Sequence, residues 1–131
     1  MNTFIDRVND ILRNGGKYTY RWDHRGEPHS REYELDGREV QRELLSDESD
    51  SFRAIFDVRY PGETIKVSLI DSYGGEDQGT EYWKIWHFTN GTESIIYRFD
   101  GYYESHCGIE YLGYYEVVPK EKVVIVYERK D

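Results

Sequence analysis

The apolar residues of this chain change their spacing once, at Gly15-Gly16, and that change sets the fold class. Ahead of it Phe4, Ile5, Val8, Ile11 and Leu12 fall at i, i+1, i+4, i+7 and i+8, a single helical stripe. Asn2 or Thr3 can cap the start, and Asn14, Gly15 and Gly16 end it. Behind it the period becomes two. KYTYRWD, residues 17 to 23, sets Tyr18, Tyr20 and Trp22 against Lys17, Thr19, Arg21 and Asp23, as a half-buried strand requires.

Turn residues divide the rest into strands. HRGEPHS, residues 24 to 30, is a polar turn or loop, and REYELDGREVQREL reads as two strands about Asp36-Gly37. Against this, Val40 to Leu45 can also be read as helical. SDESDS, residues 46 to 51, is a charged loop and the candidate site of local disorder. FRAIFDVRY and TIKVSLIDS flank Pro61-Gly62-Glu63, while EYWKIWHF and ESIIYRFD flank a turn at Asn90-Gly91. GYYEVV and EKVVIVYE flank Pro119-Lys120 as a closing hairpin. Parallel crossovers need further helices. The expected architecture is α+β: an N-terminal amphipathic helix packed on a twisted, mostly antiparallel sheet of about seven strands, in a single domain spanning residues 1–131.

Composition narrows the function. Thirteen tyrosines suit a pleated, half-buried surface first and a binding surface second. One cysteine forms no internal disulfide, and Met1 is not followed by a basic stretch and an apolar run. Cytoplasmic localisation follows as the expectation, in a host cell if the gene is a phage's. Residues 1 to 42 balance eight basic against eight acidic residues, whereas residues 43 to 118 carry five basic and fifteen acidic, a net −10. Such a field repels phosphate backbones, so direct nucleic-acid binding is disfavoured. It either draws a basic protein, by imitating nucleic acid, or serves solubility.

The succession YGGEDQGTEYWKIWHF, DGYYESHCG and YYEVVPKEKVVIVYE resembles a pattern in small uncharacterised proteins of tailed bacteriophages. That pattern has a glycine-rich acidic loop, a Gly-Tyr-Tyr-x-Ser segment and a closing Glu-Val-x-Pro-Lys-Glu strand. The resemblance spans residues 73 to 128. It implies a phage origin and an accessory role against host components, and it carries no catalytic residues with it. His106 and Cys107 depart from the pattern.

DGYYESHCG, residues 100 to 108, is where an enzyme would be sought. On a strand the neighbours His106 and Cys107 point to opposite faces, so that imidazole does not meet that thiol; a base from His24, His29 or His87 would have to arrive through tertiary folding. The spacing of His24, His29, His106 and Cys107 lacks the paired ligands of a structural zinc site, and no metal or cofactor is expected. YGGEDQG has no Gly-Lys-Ser/Thr ending, and Glu76, Asp77 and Glu81 repel phosphate; with Asp71 they also miss calcium-loop spacing.

What remains is a set of tyrosines among carboxylates. Asp47, Glu48, Asp50, Glu76, Asp77, Glu104 and Glu110 are the expected steering acids, and Tyr102, Tyr103 and Tyr114 the expected anchors. The functional expectation is a non-enzymatic acidic binder. In its specific form it is a phage protein inhibiting a host nucleic-acid-binding defence complex, of anti-CRISPR or anti-defence type. The alternatives are a small hydrolase or metal-dependent enzyme centred on Asp100, His106 and Cys107, and a virion or housekeeping component.

Overall fold

Helix α1, Phe4–Asn14, begins at Thr3, whose hydroxyl accepts from the Asp6 backbone N–H while the Asp6 carboxylate accepts from the Thr3 N–H. The computed structural model describes residues 3–74, 81–104 and 108–131. Phe4, Val8, Ile11 and Leu12 of α1 are fully buried, as the stripe predicts. Gly15 ends the helix at φ 66, with its N–H on the Ile11 carbonyl. Strands β1, Gly16–His24, and β2, Glu27–Leu35, then form a two-stranded antiparallel ribbon turning at Arg25-Gly26. Part of the expected loop at 24–30 is therefore strand.

The next two segments depart from expectation, because both are helical. Asp36 does not turn a hairpin. Its carboxylate caps helix α2, Gly37–Leu45, by accepting from the Glu39 N–H, and Glu39 reaches back to the Asp36 N–H. Helix α3, Asp50–Arg59, replaces the strand expected in FRAIFDVRY. Phe52, Ala54, Phe56 and Val58 alternate, but Phe52, Ile55 and Phe56 also share a helical face. The core selects the latter: those three are buried and Val58 is 60% exposed. Of the charged stretch 46–51, residues 46–49 make the short α2–α3 turn and Asp50 and Ser51 open α3; Ser49 is buried, and the Ser51 hydroxyl donates to Glu43.

The second half is a four-stranded antiparallel sheet in the order β3 (Lys66–Tyr73), β4 (Glu81–Thr89), β5 (Ser94–Glu104), β6 (Gly108–Glu116). Asn90-Gly91 makes the β4–β5 turn, with the Asn90 carbonyl oxygen of the side chain accepting from the N–H groups of Thr92 and Glu93. EKVVIVYE forms no strand; residues 117–131 follow β6 as irregular chain. Among the described residues there are thus three helices and six strands in two sheets, rather than one helix on a single seven-stranded sheet. The α+β class and antiparallel pairing stand. None of these helices is long and apolar enough to cross a membrane.

All three helices join one core with one face of the four-stranded sheet. Val67, Trp86, Phe88, Ile95, Tyr97, Phe99 and Tyr111 meet the buried residues of α1, α2 and α3. Polar groups fasten the layers. The Trp86 indole N–H donates to the Leu44 carbonyl at 2.8 Å, Arg53 donates to the Val67 carbonyl at 2.8 Å, and Gln41 bridges the Leu12 carbonyl and the Tyr111 hydroxyl. Asp10 of α1 accepts from Arg59 at 2.8 Å, Tyr60 at 2.6 Å and Asn14 at 2.8 Å. Burial opposes charge on Asp10, but those three donors outweigh it and hold its pKa below the ordinary value. Tyr60, desolvated and bonded to that carboxylate, is pushed up to about 12.

Two predictions follow from these joints. At Gly37 a Cβ would lie 2.2 Å from the Arg13 carbonyl oxygen, so the α1 end and the α2 start pass in contact. Alanine for glycine ordinarily favours a helix by about 1 kcal/mol. Here Gly37→Ala should instead destabilise, and by more than the roughly 1 kcal/mol of losing the cap in Asp36→Ala; denaturant unfolding that finds Gly37→Ala stabilising refutes the crossing. Asp10, with its pKa depressed in the fold, contributes stability above the ordinary aspartate value of 3.8 and loses it as pH falls through its lower folded value. Asp10→Asn should therefore cost about 1–2 kcal/mol at pH 7 and progressively less in acid, read from melts across pH.

Candidate binding surface

Because side chains alternate along a strand, a sheet that buries Trp86, Phe88, Tyr97 and Phe99 must present their neighbours on its other face. Trp83, Ile85 and His87 of β4 and Ile96, Arg98 and Asp100 of β5 occupy that face, with Tyr73 opposite Trp83 and Tyr115 opposite Arg98. Among the described elements none covers it, since the helices all join the core on the other side.

Arg98 stands at its centre. The guanidinium carbon lies 4.8 Å from the Trp83 ring centroid and 5.9 Å from that of Tyr115, and Tyr73 stacks on Trp83 with centroids 5.9 Å apart. Arg98 Nε donates to Asp100 Oδ1 at 2.7 Å and its Nη2 reaches Glu81 Oε1 at 3.4 Å. Burial works against the cation. The Asp100 hydrogen bond and the charges of Asp100, Tyr115 and Glu81 outweigh it and raise the Arg98 pKa further above its ordinary value. One cation is thus fixed between two carboxylates inside an aromatic frame. Asp71, Glu104 and Glu110 extend the acidic rim on the same face.

The expected site residues separate on this framework. Tyr102, Glu104 and Glu110 belong to the outer face, where Tyr102 is 37% exposed and sits opposite Glu81 and Glu110. Tyr103, on alternate register, faces the helical side. Tyr114 is also turned inward: it stacks on Phe99 at 5.4 Å and meets Tyr97 edge-on at 5.2 Å, so Tyr115 takes the outward place. Asp47, Glu48 and Asp50 are exposed at the α2–α3 turn, in the layer across the sheet from Arg98. Glu76 and Asp77, like His106 and Cys107, lie outside the described residues. Of the enzyme constellation, Asp100 is described, and it already holds Arg98. Among the described residues no three His, Cys, Asp or Glu side chains are grouped as metal ligands.

A second aromatic surface escaped the sequence reading. Register in the β1–β2 ribbon puts Tyr18, Tyr20 and Trp22 on one face with Tyr33, Arg31 and His29. Trp22 stacks with Tyr20 and with His29, each at 5.6 Å, and Arg31 lies over Tyr33 at 5.1 Å. Tyr20 is 56% exposed. The signal was present: in EPHSREYEL only Tyr33 and Leu35 could help bury the ladder, too little apolar surface to cover it.

Comparison with protein-family models, with curated proteins and with solved structures found no match to this chain.

Arg98 and its carboxylates are partly exposed, with side-chain exposures of 26% for Arg98 and 27% for Asp100. Pairs of this kind contribute roughly 1 kcal/mol or less to folding. Arg98→Ala should accordingly leave the melting temperature within a few degrees of the parent; a large loss of stability would make the cluster part of the scaffold rather than a surface.

Proposed function

We propose that this chain is a non-enzymatic binding protein that holds a basic protein partner against the outer face of its four-stranded sheet. The observation that carries the reading is the open aromatic face itself, with Tyr73, Trp83 and Tyr115 framing Arg98 and Glu81, Asp100, Glu104 and Glu110 around them. Rings of this kind bury large area at small rotamer cost, and a carboxylate rim steers and orients a cationic partner. The arginine is consistent with that polarity, because it is neutralised within the face by two carboxylates. The resemblance of residues 73 to 128 to phage proteins supports a more specific form. In it the protein is a phage accessory factor that inhibits a host nucleic-acid-binding complex, its acids standing where phosphates would.

Affinity capture from host cells, followed by binding kinetics with the purified partner, tests both forms. The partner should be basic and association should slow with salt, since the screening length falls from about 10 Å at 0.1 M to about 3 Å at 1 M. Glu104→Lys with Glu110→Lys should lower the on-rate, and Trp83→Ala or Tyr115→Ala should raise the off-rate by about tenfold or more. Nucleic acid should compete if the acids imitate phosphates. His106→Ala and Cys107→Ala should leave binding and cellular effect intact. Binding indifferent to salt and to charge reversal would reduce the acidic face to a solubility device.

A further inference from the structure

Residues 121–128, EKVVIVYE, have the composition of a strand but form none, and they stand in solvent. Val123 is 92% exposed, Tyr127 90%, and Val124, Ile125 and Val126 between 68% and 75%. In extended form Val123, Ile125 and Tyr127 would line one face and Val124 and Val126 the other. Both faces are apolar, the pattern of a strand covered on both sides. In this chain the segment does not fold back as a fifth strand on its own β6.

The edge that could receive this segment is also present. In the sheet order β6 is terminal, so its outer row of backbone groups has no strand beside it among the described residues, and Leu112, 61% exposed, sits along it with Ile109 and Tyr115. Charges match. Residues 117–131 carry Lys120, Lys122, Arg129 and Lys130 against Glu121, Glu128 and Asp131, a net +1, while residues 43–116 carry −10. The cations bracket VVIVY, and Glu110 and Glu116 bracket the core of β6. The Val117 N–H still donates to the Ile96 carbonyl at 3.0 Å, continuing the β5 pairing past the end of β6, and Pro119 then removes a donor. The chain therefore leaves the sheet as an arm.

We propose that residues 121–128 add as a strand to the β6 edge of a second copy of this chain, which returns its own arm, giving a twofold dimer by exchange. Each copy has one arm and one β6 edge, so two exchanges close the assembly. Backbone hydrogen bonds supply affinity, the alternate apolar side chains supply fit, and the flanking lysines and arginine against Glu110 and Glu116 set the register. This inference rests on the arm and the β6 edge, which shares Glu110 and Tyr115 with the outer face proposed for the partner, and its readout is self-association alone.

Sedimentation of the full chain over a range of concentrations tests it. The expected mass is twice the 15.7 kDa of one chain. Val124→Pro with Val126→Pro removes two donors from the arm and should abolish the dimer, while the near-ultraviolet circular dichroism of the folded layers stays unchanged. Glu110→Lys with Glu116→Lys should weaken self-association about tenfold, and mixing that variant with a Lys122→Glu, Lys130→Glu chain should restore it. Should the β6 variant fail to fold, the proline variant decides alone, since its changes lie outside the packed layers. A monomer at every concentration, a dimer indifferent to the prolines, or arm amides protected from exchange within a monomer would each overturn the proposal.

Discussion

The indole N–H of Trp86 donates to the carbonyl of Leu44, and this bond between sheet and helix sets the side on which everything else happens. Leu44 lies in the last turn of α2, and its carbonyl accepts from the sheet at 2.8 Å in addition to the Asp47 N–H of the following turn at 3.2 Å. Trp86, only 4% exposed, brings a large apolar body to the same contact. Once it faces the helices, alternation sends Phe88 with it and sends Trp83, Ile85 and His87 the other way. One side of the sheet becomes core, and the other is left open by the same residue pattern that built the core.

That one-sidedness explains how the acidic field is distributed. On the helical layer some carboxylates cap or tie elements, as Asp36, Glu43 and Asp10 do, and others, such as Asp47, Glu48, Asp50 and Asp57, stand exposed. Carboxylates on the outer face surround aromatic rings and one arginine. Those that cap or tie serve the fold. Those of the outer face are free to serve recognition, and the proposed function rests on that difference in surroundings rather than on the total charge.

Much of this was legible in the sequence. The 3.6-residue stripe fixed α1, and Asn90-Gly91 located a hairpin because its geometry demands such residues. Asp36-Gly37 was ambiguous, since the same pair suits a tight turn or a helix start; Val40, Leu44 and Leu45 decided it by meeting a core the sequence does not display. FRAIFDVRY fits both periods, and burial of Ile55 with exposure of Val58 resolved it. The outer-face tyrosines were half legible. Adjacent pairs such as Tyr114-Tyr115 must split between faces, but which member turns inward depends on the β6 bulge that skips Leu112 between the partners of Asp100 and Gly101. For Arg98, at the centre, the sequence holds nearby only Asp100, two residues on in the same strand, because Trp83, Glu81 and Tyr115 come from neighbouring strands.

The most direct test of the central claim is oxidative side-chain footprinting of the protein free and bound to its captured partner. Tyr73, Trp83, Tyr102 and Tyr115 should lose reactivity on binding, while Tyr20 and Trp22 of the ribbon keep theirs. Protection confined to Tyr20, Trp22 and Tyr33, with the four-stranded sheet unchanged, would contradict the account.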